Sequence, residues 1–326
     1  MAKLQNFARD VLHRFPSQHI QFAFCYGSAA FQQKGSVMTS NVLDFILVVD
    51  SCTNFHSQNL RQNFRDYAFL KYFGSDTICK LQGTGVYFNT LVPFGGRTIK
   101  YGVVSSLDFK SDLLDWTTLY LSGRLHKPVQ VVHKTADKAV NAALTNNLKS
   151  AVHTSLLLLP DSFSETDLFM TIASLSYSGD FRMTVGEDKN KISNIVTPNI
   201  DHFKALYGEI LDKEENLLWN KENGTFEQIP NFATRFHHLN LLPWGVQERL
   251  AGYRNKDGRY RDMEEVIRLL ATDGPGCQRW VRRSVSDIVR ASSWNQTVKS
   301  ALAAGVVNSI KYASAKLKKM AKSMTK

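Results

Sequence analysis

Residues 22–50, FAFCYGSAAFQQKGSVMTSNVLDFILVVD, constrain the fold more than any other stretch. Phe22 to Cys25 are continuously apolar, as in a buried strand. Tyr26-Gly27-Ser28 breaks the run and opens a helix start followed by a polar loop. Leu43 to Val49 then reads as a second buried strand. Asp44 is the anomaly in it, because a charge in an apolar strand is costly unless it is paired or bound to a metal. Glycine lets the backbone pass close to a ligand, and a helix N-terminus offers free N–H groups to a phosphate. The simplest account is that Gly27 and Ser28 hold phosphates while Asp44 holds a magnesium ion that neutralises them.

The rest of the chain narrows the partners. A formal net charge of +11 over 326 residues implies acidic ones: nucleotide, nucleic acid or anionic lipid. Cys25, Cys52, Cys79 and Cys277 have neither metal-ligand nor disulfide-framework spacing and read as free thiols in a reducing compartment. No apolar run approaches the roughly 20 residues of a spanning helix. Leu4, Phe7, Ala8, Val11, Leu12 and Phe15 share one helical face. They read as a first domain helix ending before Pro16; a presequence is the other reading.

In chain order, 56–73 reads as a helix stopped by Gly74, and 85–104 as a hairpin around Pro93-Phe94-Gly95-Gly96. Lys100 interrupts the second hairpin strand. Either it snorkels from an edge or it faces the site. Residues 111–122 read as a helix capped by Ser111 and ended by Gly123, with Arg124, His126 and Lys127 beyond it. VQVV makes a short strand. From about 136 the chain turns helical as far as Pro160, and Ser164 to Asp167 resembles an N-cap.

Two later stretches carry charge. In SYSGDFRMTVGEDKNKISNIV, 176–196, two glycine turns bracket Phe181, Met183 and Val185, which alternate as a strand would. Asp180 stands at one end and Glu187-Asp188 at the other. A helix opens at Pro198 and runs to 211. The segment 212–262 reads as an irregular excursion, before helices at VIRLLA and 277–290. After Asp287 no acidic residue remains. Lys311, Lys316, Lys318, Lys319 and Lys322 stand among apolar residues at helical spacing, a basic amphipathic helix suited to an anionic membrane surface.

Gly-Ser, a loop and a strand aspartate resemble the nucleotidyltransferase signature. Many such enzymes have a second strand acid two residues away, but here Val42 and Ile46 flank Asp44 at that spacing. Asp50 is about 20 Å along the strand. A second acid would come from Asp112, Asp180, Glu187 or Asp188. The combination YGS…LDFILVVD, IKYGVVS, LSGRLHKPV, NLKSAV, LLLPDSFSETDLF, SYSGDFRMTVGEDKNKISNIV and SDIVRASS resembles the mitochondrial translocator assembly and maintenance family, the matrix-side phosphatidate cytidylyltransferases.

The resemblance implies an α+β chain. It has a nucleotidyltransferase-type mixed sheet domain at 1–130, a helical winged-helix-like domain at 131–290 and a basic membrane-associating tail at 291–326. It implies CTP and phosphatidic acid as substrates, CDP-diacylglycerol and pyrophosphate as products, and Mg2+ as cofactor. The product feeds cardiolipin synthesis at the inner membrane, with the protein bound peripherally on the matrix side. Asp44 and Lys100 are the expected catalytic residues. Gly27, Ser28, Tyr101, Arg124, Lys127, Asp180, Arg182, Glu187, Asp188 and Lys189 are expected around the nucleotide. Two other readings compete: a template-independent RNA nucleotidyltransferase and a non-enzymatic factor for assembling the import machinery. No nucleic acid is expected, because the chain lacks a basic patch interleaved with base-stacking aromatics.

Overall fold

Apolar runs form the central strands. The computed structural model describes residues 2–31, 42–183 and 190–304. Helix α1 (Ala2–His13) precedes β1 (Ile20–Tyr26), which runs antiparallel to β2 (Leu43–Val49). Helices α2 (Cys52–Gln62) and α3 (Gly74–Gln82) lead to the hairpin of β3 (Tyr87–Phe94) and β4 (Arg97–Ser105). β4 lies parallel to β2. Next come α4 (Ser106–Asp115), the single turn α5 (Ser122–Leu125) and β5 (Gln130–His133), which pairs with β1. The strand order is β3-β4-β2-β1-β5, a mixed five-stranded sheet.

The two-residue strand period sends alternate side chains to two cores. Leu43, Phe45 and Leu47 join Val11 of α1, Phe55 of α2 and Tyr101 on one face. Phe24, Ile46, Val48 and Val104 join Phe109 and Leu113 of α4 on the other. Asp44 and Lys100 therefore belong to the second face.

The second half is mainly helical: α6 (Lys138–Leu156), α7 (Glu165–Ser174), α8 (Lys191–Val196), α9 (Ile200–Asp212), α10 (Phe232–Asn240), α11 (Trp244–Arg254), α12 (Met263–Thr272) and α13 (Gly274–Ala304). β6 (Ser162–Ser164), β7 (Leu217–Asn220) and β8 (Thr225–Gln228) add a small antiparallel sheet in the order β6-β8-β7. Its core includes Val152, Phe169, Phe203, Tyr207, Leu250 and Val281. α6 serves both halves: Val140 and Ala143 pack on the sheet, Ala151 and Val152 on the helical core. α13 also returns to the sheet, where Gln296 Nε2 donates to the Val86 carbonyl at 3.0 Å.

Several expected elements are placed differently. The helix expected at 56–73 ends at Gln62, because Asn63 leaves helical geometry and its amide donates to the Arg14 carbonyl. Two 3₁₀ turns follow, and Gly74 opens α3 instead of closing a helix. The helix expected at 111–122 begins at Ser106, capped by Ser105, and ends at Trp116 in the left-handed conformation. The buried Trp116 indole donates to Asn147 Oδ1 at 2.9 Å, a tertiary contact that overrides helix propensity. Gly123 lies inside α5. Phe181 to Met183 form a 3₁₀ turn, not a strand, and Phe181 stacks on Trp294 with ring centroids 4.6 Å apart. The expected irregular excursion is the β7–β8 hairpin with α10 and α11. α13 runs unbroken past 290.

Candidate functional site: a cationic pocket around Asp44

Strand register assembles the site. Tyr26 stands beside Asp44 across β1 and β2, and Asp44 beside Lys100 across β2 and β4. All three side chains lie on the α4 face of the sheet. Lys100 Nζ is 3.7 Å from Asp44 Oδ1 and 4.1 Å from the centre of the Phe88 ring. The pair stays reachable, with side chains 21% and 27% exposed. Lys100 thus turns to Asp44 on the α4 face of the sheet.

Gly27 borders Asp44. Its φ of +83° is left-handed, and a Cβ there would stand 3.5 Å from Asp44 Oδ2. Its carbonyl accepts from the amides of Ala30 and Phe31 at 3.0 Å, so Gly27-Ser28 opens a turn as far as Phe31, and residues 32–41 lie outside the described residues.

Cations crowd this corner. The Arg124 guanidinium lies 3.8 Å from the Tyr120 ring centre and 4.9 Å from that of Tyr26, and donates to the Tyr120 carbonyl at 2.7 Å. Arg124 Nε and the Tyr26 hydroxyl are buried with no hydrogen-bond partner among the described residues. Lys127 Nζ donates to Ser176 Oγ at 2.8 Å and to the Gly123 carbonyl. Burial, then the charges of Arg124 and Lys191, push Lys127 well below the usual lysine range. Lys127 and Lys191 stand 5.0 and 5.2 Å from the Tyr177 ring.

The 176–183 stretch reaches the same corner. Gly123 packs so closely on Ser176 that a Cβ would fall 2.2 Å from the serine Cβ. Arg182 grips Asp180 through two guanidinium nitrogens, at 2.9 Å to Oδ1 and 2.6 Å to Oδ2. It also feels the fields of Tyr120 and Arg124. Among the described residues, Lys100, Arg124, Lys127, Arg182 and Lys191 gather in this corner with Asp44 and Asp180. Such a pocket suits a polyanion.

The carboxylates divide sharply by what they already hold. Asp112 Oδ1 accepts from the Thr118 amide and hydroxyl, and Oδ2 from the amides of Leu121 and Ser122 and the Ser122 hydroxyl. It ties down the chain between α4 and α5 and has no room for a metal. Both Asp180 oxygens hold Arg182. Asp50 pairs with His19 Nδ1 at 3.0 Å, at the far end of β2. Asp44 faces the gap left by Gly27, and one open carboxylate matches the way magnesium is bound, by one or two carboxylates plus substrate phosphates.

Among the expected site residues, the fold brings together Gly27, Ser28, Asp44, Lys100, Arg124, Lys127, Asp180 and Arg182. Tyr101 is corrected. It sits on the opposite face, fully buried, donating to Asp66 Oδ2 and accepting from Asn59 Nδ2, each at 3.0 Å. Glu187, Asp188 and Lys189, and the tail lysines 311, 316, 318, 319 and 322, lie outside the described residues. The sequence reading missed Tyr26, Tyr120 and Tyr177 as site residues, and noted Lys191 only within the charged 176–196 stretch.

This fold and site define a mixed α/β protein whose central strand presents a part-exposed carboxylate beside a cluster of lysine and arginine side chains. The family model described as mitochondrial phosphatidate cytidylyltransferase matches residues 8–319. The chain is 44% identical over 326 residues to the mitochondrial phosphatidate cytidylyltransferase of Danio rerio, covering 97% of this chain and 96% of that one. It is 44% identical over 317 residues to that of Bos taurus, covering 96% and 93%. It is 40% identical over 319 residues to that of Caenorhabditis elegans, covering 97% and 98%. The chain belongs to the mitochondrial phosphatidate cytidylyltransferase family.

Proposed function

We propose that this chain transfers the cytidylyl group of CTP to phosphatidic acid, giving CDP-diacylglycerol and pyrophosphate. The observation that carries the reading is a cationic pocket with one open carboxylate in a chain that matches these enzymes end to end. A phosphate oxygen of phosphatidic acid forms a bond to the α-phosphorus of CTP as the bond to the bridging oxygen breaks. Pyrophosphate carries the electron pair away. Both reactants are anionic, so the first task is to suppress their repulsion. Lys100, Arg124, Lys127 and Lys191 supply that charge, and the acceptor oxygen is already ionised near neutral pH. Asp44 would hold magnesium, which when bound polarises the α-phosphate.

We read residues 1–130 as a nucleotidyltransferase-type domain and 131–290 as a winged-helix-like domain with the β6-β8-β7 sheet as its wing. The nucleotide lies between them, against Arg124 on one side and Arg182 on the other. The basic tail, 291–326, holds the site at the matrix face of the inner membrane. In support, the relatives are named mitochondrial, and no helix among the described residues is long and apolar enough to cross a membrane.

The test is labelled CTP with phosphatidic acid liposomes and magnesium, comparing wild type with Asp44→Asn. The Lys100 pair is partly exposed and worth about 1 kcal/mol at most, so the variant stays folded. Chloroform-soluble label from the wild type, reduced about 10³-fold or more in the variant, is the expected result. No lipid label from the wild type rejects the reaction. Full activity in the variant moves the metal away from Asp44.

A further inference from the structure

A second cluster of ligand-type side chains lies away from the anion pocket, in the helical half. His153 comes from the last turn of α6, Glu214 from just beyond α9, and His237 and His238 from the last turn of α10. Each brings one donor atom, and these atoms lie within 4.8 Å of one another. His153 Nδ1 is 3.1 Å from His238 Nδ1 and 3.6 Å from Glu214 Oε2. His237 Nε2 is 3.8 Å from Glu214 Oε1. Four ligands about 2.0–2.1 Å from a tetrahedral ion stand about 3.3 Å apart, so the spacings fit such a shell with little adjustment.

The side chains satisfy one another only in part. His153 and His238 are both buried, and their rings meet through Nδ1. Two neutral imidazoles meeting nitrogen to nitrogen can share one proton. His238 Nε2 is buried with no partner among the described residues. The Glu214 side chain is only 8% exposed, and its ion-pair partners are these imidazoles. Three imidazole nitrogens and one carboxylate oxygen suit a borderline divalent ion, zinc above all, whereas magnesium takes oxygen ligands.

We propose that His153, Glu214, His237 and His238 form a zinc site. Four protein ligands close the coordination shell, so the ion is structural. It ties α6, the end of α9 and α10 into one unit, in a part of the fold remote in sequence from Asp44.

The test uses the full chain, purified without chelator. Zinc retained in stoichiometric amount by elemental analysis, and Co2+ substitution giving the visible bands of a tetrahedral site, are expected. His237→Ala removes a half-exposed ring and leaves the core intact, and Glu214→Gln keeps the shape of the side chain. Each should weaken zinc binding by more than about tenfold with an unchanged circular dichroism spectrum. Stripping the zinc with a chelator should lower the melting temperature of the wild type, and added zinc should restore it, with neither effect in the double variant. The proposal is overturned if the wild type neither retains zinc nor develops Co2+ bands. It is equally overturned if the double variant retains zinc as the wild type does.

Discussion

Gly123→Ala tests how the two sides of the pocket are held together. A Cβ at this position would stand 2.2 Å from Ser176 Cβ and 3.1 Å from its Oγ. Carbon atoms in contact sit about 3.5–4.0 Å apart, so α5 and the 175–177 turn must separate by roughly 1.3 Å or more. Overpacking of this kind costs about 1–3 kcal/mol. The same movement draws Ser176 Oγ away from Lys127 Nζ, now 2.8 Å off. Misplacing a positioned group by about 1 Å costs up to about 10² in rate. The compensating change is Ser176→Gly, which removes the obstructing Cβ. On its own it costs about 0.5–1 kcal/mol in backbone freedom, plus the hydrogen bond to Lys127. In the double variant the clash is gone, so its stability should match Ser176→Gly to within about 0.5 kcal/mol. Urea unfolding gives the stabilities, and the CTP–phosphatidate assay gives kcat/KM. Additive losses in the double variant would refute the close packing of Gly123 on Ser176. A destabilised Gly123→Ala with undiminished kcat/KM would refute the role of Lys127.

Two further predictions address the sheet and the buried histidines. Tyr101→Phe leaves Asn59 and the half-buried Asp66 each short of a partner, so stability should fall by about 1–3 kcal/mol with kcat/KM unchanged. A tenfold loss of kcat/KM without loss of stability would put Tyr101 back at the nucleotide. Burial lowers His56 from 6.5 to about 4 and His126 to about 3. The unfolded chain then binds more protons between those values and 6.5, so stability is complete above that window and falls as pH drops through it. His56 alone should cost about 2 kcal/mol by pH 5, measured by urea unfolding. A flat profile between pH 7 and about 5 would show that these rings are not buried neutral.

Asp44 was legible because a charge in an apolar strand demands a reason, and Lys100 for the same reason. The capping box at Ser164 and Asp167 was legible because its donors and acceptors lie within one turn. Tyr101 was misassigned through its adjacency to Lys100, although strand alternation sends neighbours to opposite faces. Tyr120 and Tyr177 gave no signal, since an aromatic beside an apolar run reads as core. Only the packing of α5 sets them around Arg124 and Lys127. Tyr26 could have been found, as the polar tip ending a strand directly before Gly27. The end of α4 was hidden because Trp116 turns left-handed for its bond to Asn147, a contact across 31 positions that no local pattern encodes. His153, Glu214 and His237-His238 are likewise scattered and form no short metal motif.

The pocket's charge balance has a consequence for binding. Lys127 is held below its usual range by burial and then by the charges of Arg124 and Lys191, so it holds its proton less firmly than an ordinary lysine. A triphosphate entering among these cations reverses the sign of the local field and raises the lysine again. Binding CTP must therefore take up protons at a pH between the two values. Above about pH 8 the phosphates, whose last pKa is about 6, are fully ionised and contribute little to the exchange. Calorimetry in buffers of different ionisation enthalpy reads this uptake directly, and Lys127→Gln should abolish it. The same cations make the interaction sensitive to salt, and CTP at about 100 times its Kd should stabilise the fold by about 2.7 kcal/mol at low ionic strength and by less in high salt. Proton uptake that persists in Lys127→Gln would assign the titration to another group. Stabilisation indifferent to salt would mean that CTP is held by contacts other than this cluster of charges.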